Sequence, residues 1–121
     1  IDLILEDQYK QSCEQYQYKD IARNPREYDG KKAFFNGKVI QVLESGNQVD
    51  LRVNVTKGEY GFYDDTIYVE YQRKDVNEPR ILEDDIIAIW GNLDGLETYT
   101  DVLGQTVSIP KLKMLYYELI N

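Results

Sequence analysis

Histidine is absent from the 121 residues, and cysteine occurs once, as Cys13. Without histidine there is no Ser-His-Asp triad, no Cys-His pair and none of the commonest zinc sites. A single cysteine excludes any disulfide within the chain. Basic residues are scarce: 14 Lys and Arg stand against 22 Asp and Glu, giving a formal charge of −8. That balance argues against nucleic acid and anionic membrane surfaces as partners. No run of 18 apolar residues exists, so no membrane-spanning helix is expected. The sequence opens at Ile1 rather than at a methionine or a charged stretch followed by an apolar one, and the expectation is that any signal or anchor lies upstream.

What is there fits one domain, residues 1–121: 42% of the residues are hydrophobic and 30% charged, with no repeat, linker or low-complexity segment. Charge is uneven. Residues 1–60 carry 9 basic and 10 acidic side chains, residues 61–121 carry 5 and 12. The acidic excess at Asp64, Asp65, Glu83, Asp84, Asp85, Asp94, Glu97 and Asp101 reads as solvated loops. An EF-hand alignment of Asn92, Asp94, Gly95 and Asp101 puts Trp90 in the first ligand position and fails, so no metal is expected.

The first 24 residues read as a helical segment. Leu5, Tyr9, Cys13 and Tyr16 form one apolar stripe that predicts a helix covering the core, with Cys13 packed and unreactive. A further short helix is expected over Tyr18–Arg23, ended by Pro25, and a turn over Tyr28-Asp29-Gly30-Lys31. From Lys32 the period becomes two. The first strand runs to Leu43 with Gly37 inside it, the mark of a bulge or bend. A hairpin at Glu44–Asn47 leads to a second strand, Val49–Val55, and a loop over Lys57–Asp65 to a third, Thr66–Gln72. Arg73–Arg80 reads as a loop with room for a helical turn. The fourth strand is Ile86–Trp90, apolar enough for burial on both sides, followed by a long polar loop over 91–105 that holds Tyr99. A fifth strand spans Thr106 to about Glu118, with Pro110 at an edge or bulge. The pattern predicts a mainly β fold: a five-stranded antiparallel Greek-key barrel over 32–118 with an N-terminal α-helix. Phe35, Val39, Leu51, Val53, Ile67, Val69, Ile87, Ile89 and Ile109 are expected inside.

Several short runs carry a resemblance. Tyr18-Lys19-Asp20-Ile21-Ala22-Arg23-Asn24-Pro25, then Tyr28, Gly30-Lys31-Lys32 and Phe35-Asn36-Gly37-Lys38-Val39-Ile40-Gln41-Val42, resemble the opening of OB-fold domains from Gram-positive bacteria. Leu82-Glu83-Asp84-Asp85, Thr98-Tyr99-Thr100, Leu103-Gly104 and Val107-Ser108-Ile109-Pro110 fall where that group has its later signatures. The extracellular part of the clostridial toxin-gene regulator TcdC is similar to the same group. The resemblance implies an OB-fold, a surface lipoprotein or membrane-anchored setting outside the cytoplasm, and no agreed catalytic residues.

Barrels of this kind bind ligands on the face of strands two and three and on the loops between strands one and two and four and five. Here that face would present Asp50, Arg52, Asn54, Tyr68 and Glu70 beside Tyr99. Two carboxylates around one arginine cradle a phosphate backbone poorly, whereas tyrosine rings and planar acceptors suit a neutral glycan or a protein. Tyrosine is the conspicuous excess, 11 residues. Tyr9, Tyr16, Tyr28, Tyr71 and Tyr116 read as packing residues, Tyr60, Phe62, Tyr63 and Tyr99 as loop aromatics. The expectation is therefore a non-catalytic module without cofactor. Its candidate ligand contacts are Arg52, Asn54, Tyr60, Phe62, Tyr63, Tyr68 and Tyr99, and its partner is a protein or glycan at the cell surface. The alternative is a single-stranded nucleic-acid binder.

Overall fold

The computed structural model describes residues 2–120, with side chains from Leu5 onward. Three short helices come first: α1 over Asp2–Ser12, α2 over Tyr18–Arg23 and α3 over Pro25–Tyr28. Five strands follow, β1 Lys32–Ser45, β2 Gln48–Lys57, β3 Tyr63–Gln72, β4 Ile86–Thr100 and β5 Thr106–Leu119. They close in the order β1-β2-β3-β5-β4, with β4 back on β1. That order, with one long bent first strand shared between two neighbours, is the OB-fold.

Four of the five seams are antiparallel, as the alternating pattern predicts. The fifth differs from the all-antiparallel expectation: β3 and β5 run parallel from Tyr68↔Lys111 to Tyr71↔Met114. Closure requires it, because β4 returns to β1 and leaves β5, antiparallel to β4, lying beside β3 in β3's own direction.

All nine residues expected inside are buried, and Ile21, Val49, Tyr71, Ile81, Leu93, Leu112 and Met114 join them. Ile87, Ala88 and Ile89 are buried in succession, so β4 is covered on both faces as its apolar run implied. Gly37 marks a crossing rather than a bulge. A Cβ there would lie 2.6 Å from the backbone oxygen of Asn54 and 2.6 Å from Val53 Cγ1. At this point β1 leaves β4, paired through Lys38↔Ile86, and joins β2, paired from Lys38↔Asn54. The register shift itself comes two residues later, between Val39 and Gln41.

Two expectations are corrected. The helical stripe does not reach Tyr16: α1 stops at Ser12, whose hydroxyl donates to the Tyr9 carbonyl at 2.6 Å, and Glu14 is captured by β1. Its N–H donates to the Lys32 carbonyl at 3.1 Å, and its own carbonyl accepts from the Phe34 N–H at 3.0 Å. Leu5 is 55% exposed and Cys13 half-buried, so α1 is moored on the outside of the barrel, through Tyr9 and Lys10, rather than laid over its core. Arg73–Arg80 is a loop with turns, as its polar run with Pro79 implied. The long polar loop over 91–105 is instead the second half of β4 and the start of β5, paired from Leu96↔Pro110 to Thr100↔Thr106. A register shift between Leu93 and Leu96, with Gly95 at φ 70°, breaks the alternation there. Pro110 sits opposite that bulge, where a strand tolerates a missing N–H.

Candidate functional site

The outer face of β2, β3 and β5 gathers most of the predicted polar residues. Arg52 and Tyr68 are ladder neighbours, flanked by the pair Asp50↔Glu70. The Tyr68 hydroxyl donates to Asp50 Oδ2 at 2.7 Å. Partial burial and that carboxylate hold the Tyr68 pKa far above the ordinary tyrosine value. The β4–β5 ribbon folds over this face and lays the Tyr99 ring on the Arg52 guanidinium, 3.9 Å from centroid to Cζ. Arg52 Nε is enclosed with no hydrogen-bond partner among the described residues.

Lys111, which sequence reasoning did not single out, is the hub of the face. Its Nζ lies 2.9 Å from Glu70, 3.5 Å from Glu97 and 3.8 Å from Asp94. The close contact with Glu70 raises its pKa further than desolvation lowers it. Lys113 leans on the same Asp94 at 3.6 Å. Lys111 became a site residue only through the parallel β3–β5 seam, which no local pattern foretells.

The other predicted contacts lie elsewhere. Asn54 is committed internally: its Oδ1 accepts from Thr66 Oγ1 at 2.6 Å, and its Nδ2 donates to the Tyr63 carbonyl at 3.2 Å. It braces the β2–β3 hairpin. Tyr60 and Phe62 stand at that hairpin's tip, 92% and 76% exposed, with Tyr60 in the left-handed region at φ 61°. Tyr63 belongs to β3, not to a loop, and lines a cleft of about 550 Å³ on the β1 side of the barrel. Arg52, Tyr68 and Tyr99 therefore form one group, Tyr60 and Phe62 a second, and Tyr63 stands with residues of the cleft.

Among the described residues, no three Cys, Asp or Glu side chains stand close enough together to hold a metal ion. No helix among them is long and apolar enough to cross a membrane.

No family model matches the chain, and no curated protein matches it either. Among solved structures it is similar to the aspartyl tRNA synthetase from Entamoeba histolytica, with a TM-score of 0.59 and 16% identity. That match covers 92% of this chain but only 22% of the synthetase. A mitochondrial single-stranded DNA binding protein from S. cerevisiae matches over 76% of this chain and 96% of its own, with 11% identity and a TM-score of 0.47. The synthetase match agrees with the fold read from the strand order.

Proposed function

We propose that the chain is a non-catalytic binding module displayed outside the membrane of a Gram-positive cell, with a protein or wall glycan as its ligand. One observation carries the ligand class: the lysines of the barrel face are engaged by carboxylates, and its arginine is covered by a tyrosine ring. Lys111 and Lys113 are held by Glu70, Asp94 and Glu97, and Arg52 Cζ lies 3.9 Å from the centre of the Tyr99 ring. A nucleic-acid groove needs several cations free to replace counterions in register, and here the carboxylates occupy that role. Exposed Tyr60 and Phe62 supply the rigid aromatic contact area that protein and glycan recognition uses. The surface setting rests on the resemblance to Gram-positive OB-fold domains. An antibody to the chain should stain intact cells, and staining only after lysis would remove that part of the proposal.

Single-stranded nucleic-acid binding is the reading that the synthetase's name invites, and the charge opposes it. Fluorescence anisotropy of a labelled oligothymidine, between about 50 and 200 mM salt where phosphate contacts are lost, decides the matter. No saturable binding is expected. A micromolar affinity that weakens steeply with salt and disappears in Arg52→Ala would overturn the proposal.

A further inference from the structure

The cleft beside Tyr63 lies outside the barrel face, and its origin is topological. β1 is paired to β4 from Lys32 to Lys38 and to β2 only from Lys38 onward, while β2 continues past its last β1 partner, Asn54, to Lys57. The two strands therefore splay apart beyond the crossing at Gly37. Phe34, Phe35 and Asn36 line one side of the gap, and Val55, Thr56 and Lys57 the other. On β1 the edge turned from β4 is taken by Glu14 as far as Phe34, and among the described residues the ladder leaves no strand partner on that side for Asn36. On β2 the edge turned from β3 has no strand partner over 55–57 among the described residues. Two strand edges thus face one cleft without a ladder, the condition under which an added strand pairs.

Its chemistry is also distinct from the rest of the molecule. Gln15, Gln17, Asn36 and Thr56 contribute amides and a hydroxyl, and Tyr16, Phe34 and Tyr63 contribute rings. Among the described residues no Asp or Glu lines the cleft, in a chain that carries 22 of them. Lys57 is the one charged lining residue, and it has no ion pair among the described residues. It closes the ladder of the β2–β3 hairpin, directly below the tip that presents Tyr60 and Phe62.

We infer that this cleft receives an extended peptide segment of a partner protein, paired by its backbone to the open edges of β1 and β2. The peptide's apolar side chains lie among Tyr16, Phe34 and Tyr63, and one carboxylate of the peptide sits at Lys57. This rests on the reading of the chain as a binding module and names the kind of partner it takes. Open edges supply main-chain affinity and the rings supply side-chain pockets. The unpaired lysine selects a carboxylate and disfavours a second cation.

The test uses the whole chain, isotope-labelled for amide NMR, with a positional-scanning library of acetylated tetrapeptides as probe. Peptides of β-branched and aromatic residues with one Asp or Glu should shift the amides of Asn36, Thr56 and Lys57. Methylating the peptide's backbone nitrogens should abolish the shifts. Lys57→Gln should weaken the acidic peptides by up to about fivefold, the worth of an exposed ion pair, and leave neutral ones unchanged. Shifts confined to Arg52, Tyr68 and Lys111, indifference to N-methylation, or no response to any peptide would each overturn the cleft assignment. Chitotriose shifting the same cleft amides in place of peptides would also overturn it, yet would leave the binding-module reading standing. Oligothymidine binding in a parallel titration would instead strike at the module reading itself.

Discussion

At the scale of single residues, the closure of the barrel depends on two glycines that let strands touch. Gly37 meets the Asn54 carbonyl and Val53, and a Cβ on Gly91 would lie 2.2 Å from the Lys113 backbone oxygen, beside the register shift between Trp90 and Gly91. Backbone atoms cannot swing aside as a flexible side chain can, so an added methyl group must push strands apart. Gly37→Ala and Gly91→Ala are expected to cost about 1–3 kcal/mol each, the second more, as overpacked sites do. Denaturant midpoints check this, and a Gly91→Ala loss within about 0.5 kcal/mol, the range of surface substitutions, would contradict it. Glu44 offers a pH-dependent counterpart. Hydrogen bonds from Arg80 and Arg73 hold its carboxyl below the ordinary carboxylate range and tie the end of β1 to the loop over 73–80. A lowered folded pKa contributes stability above the unfolded value that is lost as pH falls through the folded one. Glu44→Gln should therefore be less stable than wild type at neutral pH, with the gap closing as the solution is acidified. A gap independent of pH would refute the charge-based account.

At the scale of elements, α1 is the part least woven into the molecule. It is held by the Tyr9 hydroxyl donating to Asn92 Oδ1 at 2.7 Å, an edge-to-face contact of Tyr9 with Tyr116, and Lys10 placed 4.3 Å from the centre of a Trp90 ring. Cys13 lies just past its end, half-buried, with its Sγ 3.4 Å from the Tyr9 carbonyl and its pKa raised by burial. Thiol labelling should be slower in the native protein than in an unfolded control, and Tyr9→Ala should bring it close to the unfolded rate by unmooring the helix. Equal rates for native wild type and unfolded control would show that α1 is undocked. The same segment shows where sequence reading ran short. The core positions of β2 and β3 were legible because Leu51, Val53, Ile67 and Val69 alternate cleanly, and a pleated strand buries alternate residues. The outer half of β4 was not, since the bulge at Gly95 shifts the period and the ribbon beyond it is polar and half-exposed, which reads as a loop. α1 was overextended because Cys13 and Tyr16 keep helical spacing while Glu14 is drawn into β1, a tertiary contact that overrides local pattern. Arg52, Tyr68 and Tyr99 were found as a group, while Lys111 and the cleft depend on strand pairings between distant segments.

At the scale of the whole molecule, the tyrosines determine how the barrel responds to alkali. Burial is the largest cause raising the pKa values of Tyr9, Tyr18, Tyr68, Tyr71 and Tyr117, and carboxylates add to it at Tyr18, Tyr68, Tyr71 and Tyr117. Tyr71 and Tyr117 pack edge to face with ring centroids 5.3 Å apart, and both hydroxyls donate to Glu78 Oε2, at 2.8 and 3.2 Å. Tyr117 is pushed up to about 12. A phenol whose folded pKa lies above its unfolded value of about 10 stays neutral in the fold and ionises readily in the unfolded chain. Stability is thus intact below that unfolded value and falls as pH rises from it through the folded pKa. The expected result is cooperative alkaline unfolding in which tyrosinate absorbance and loss of the β-sheet circular dichroism rise together. Tyr117→Phe separates this from a general intolerance of alkali because its two effects have opposite signs. It loses the bond to Glu78, which at neutral pH costs about 1 kcal/mol. It also removes one group that drives unfolding by ionising, so its stability should fall less steeply with pH than that of the wild type. Tyrosinate forming along a smooth curve with circular dichroism unchanged would contradict the account, as would parallel stability curves for the two proteins.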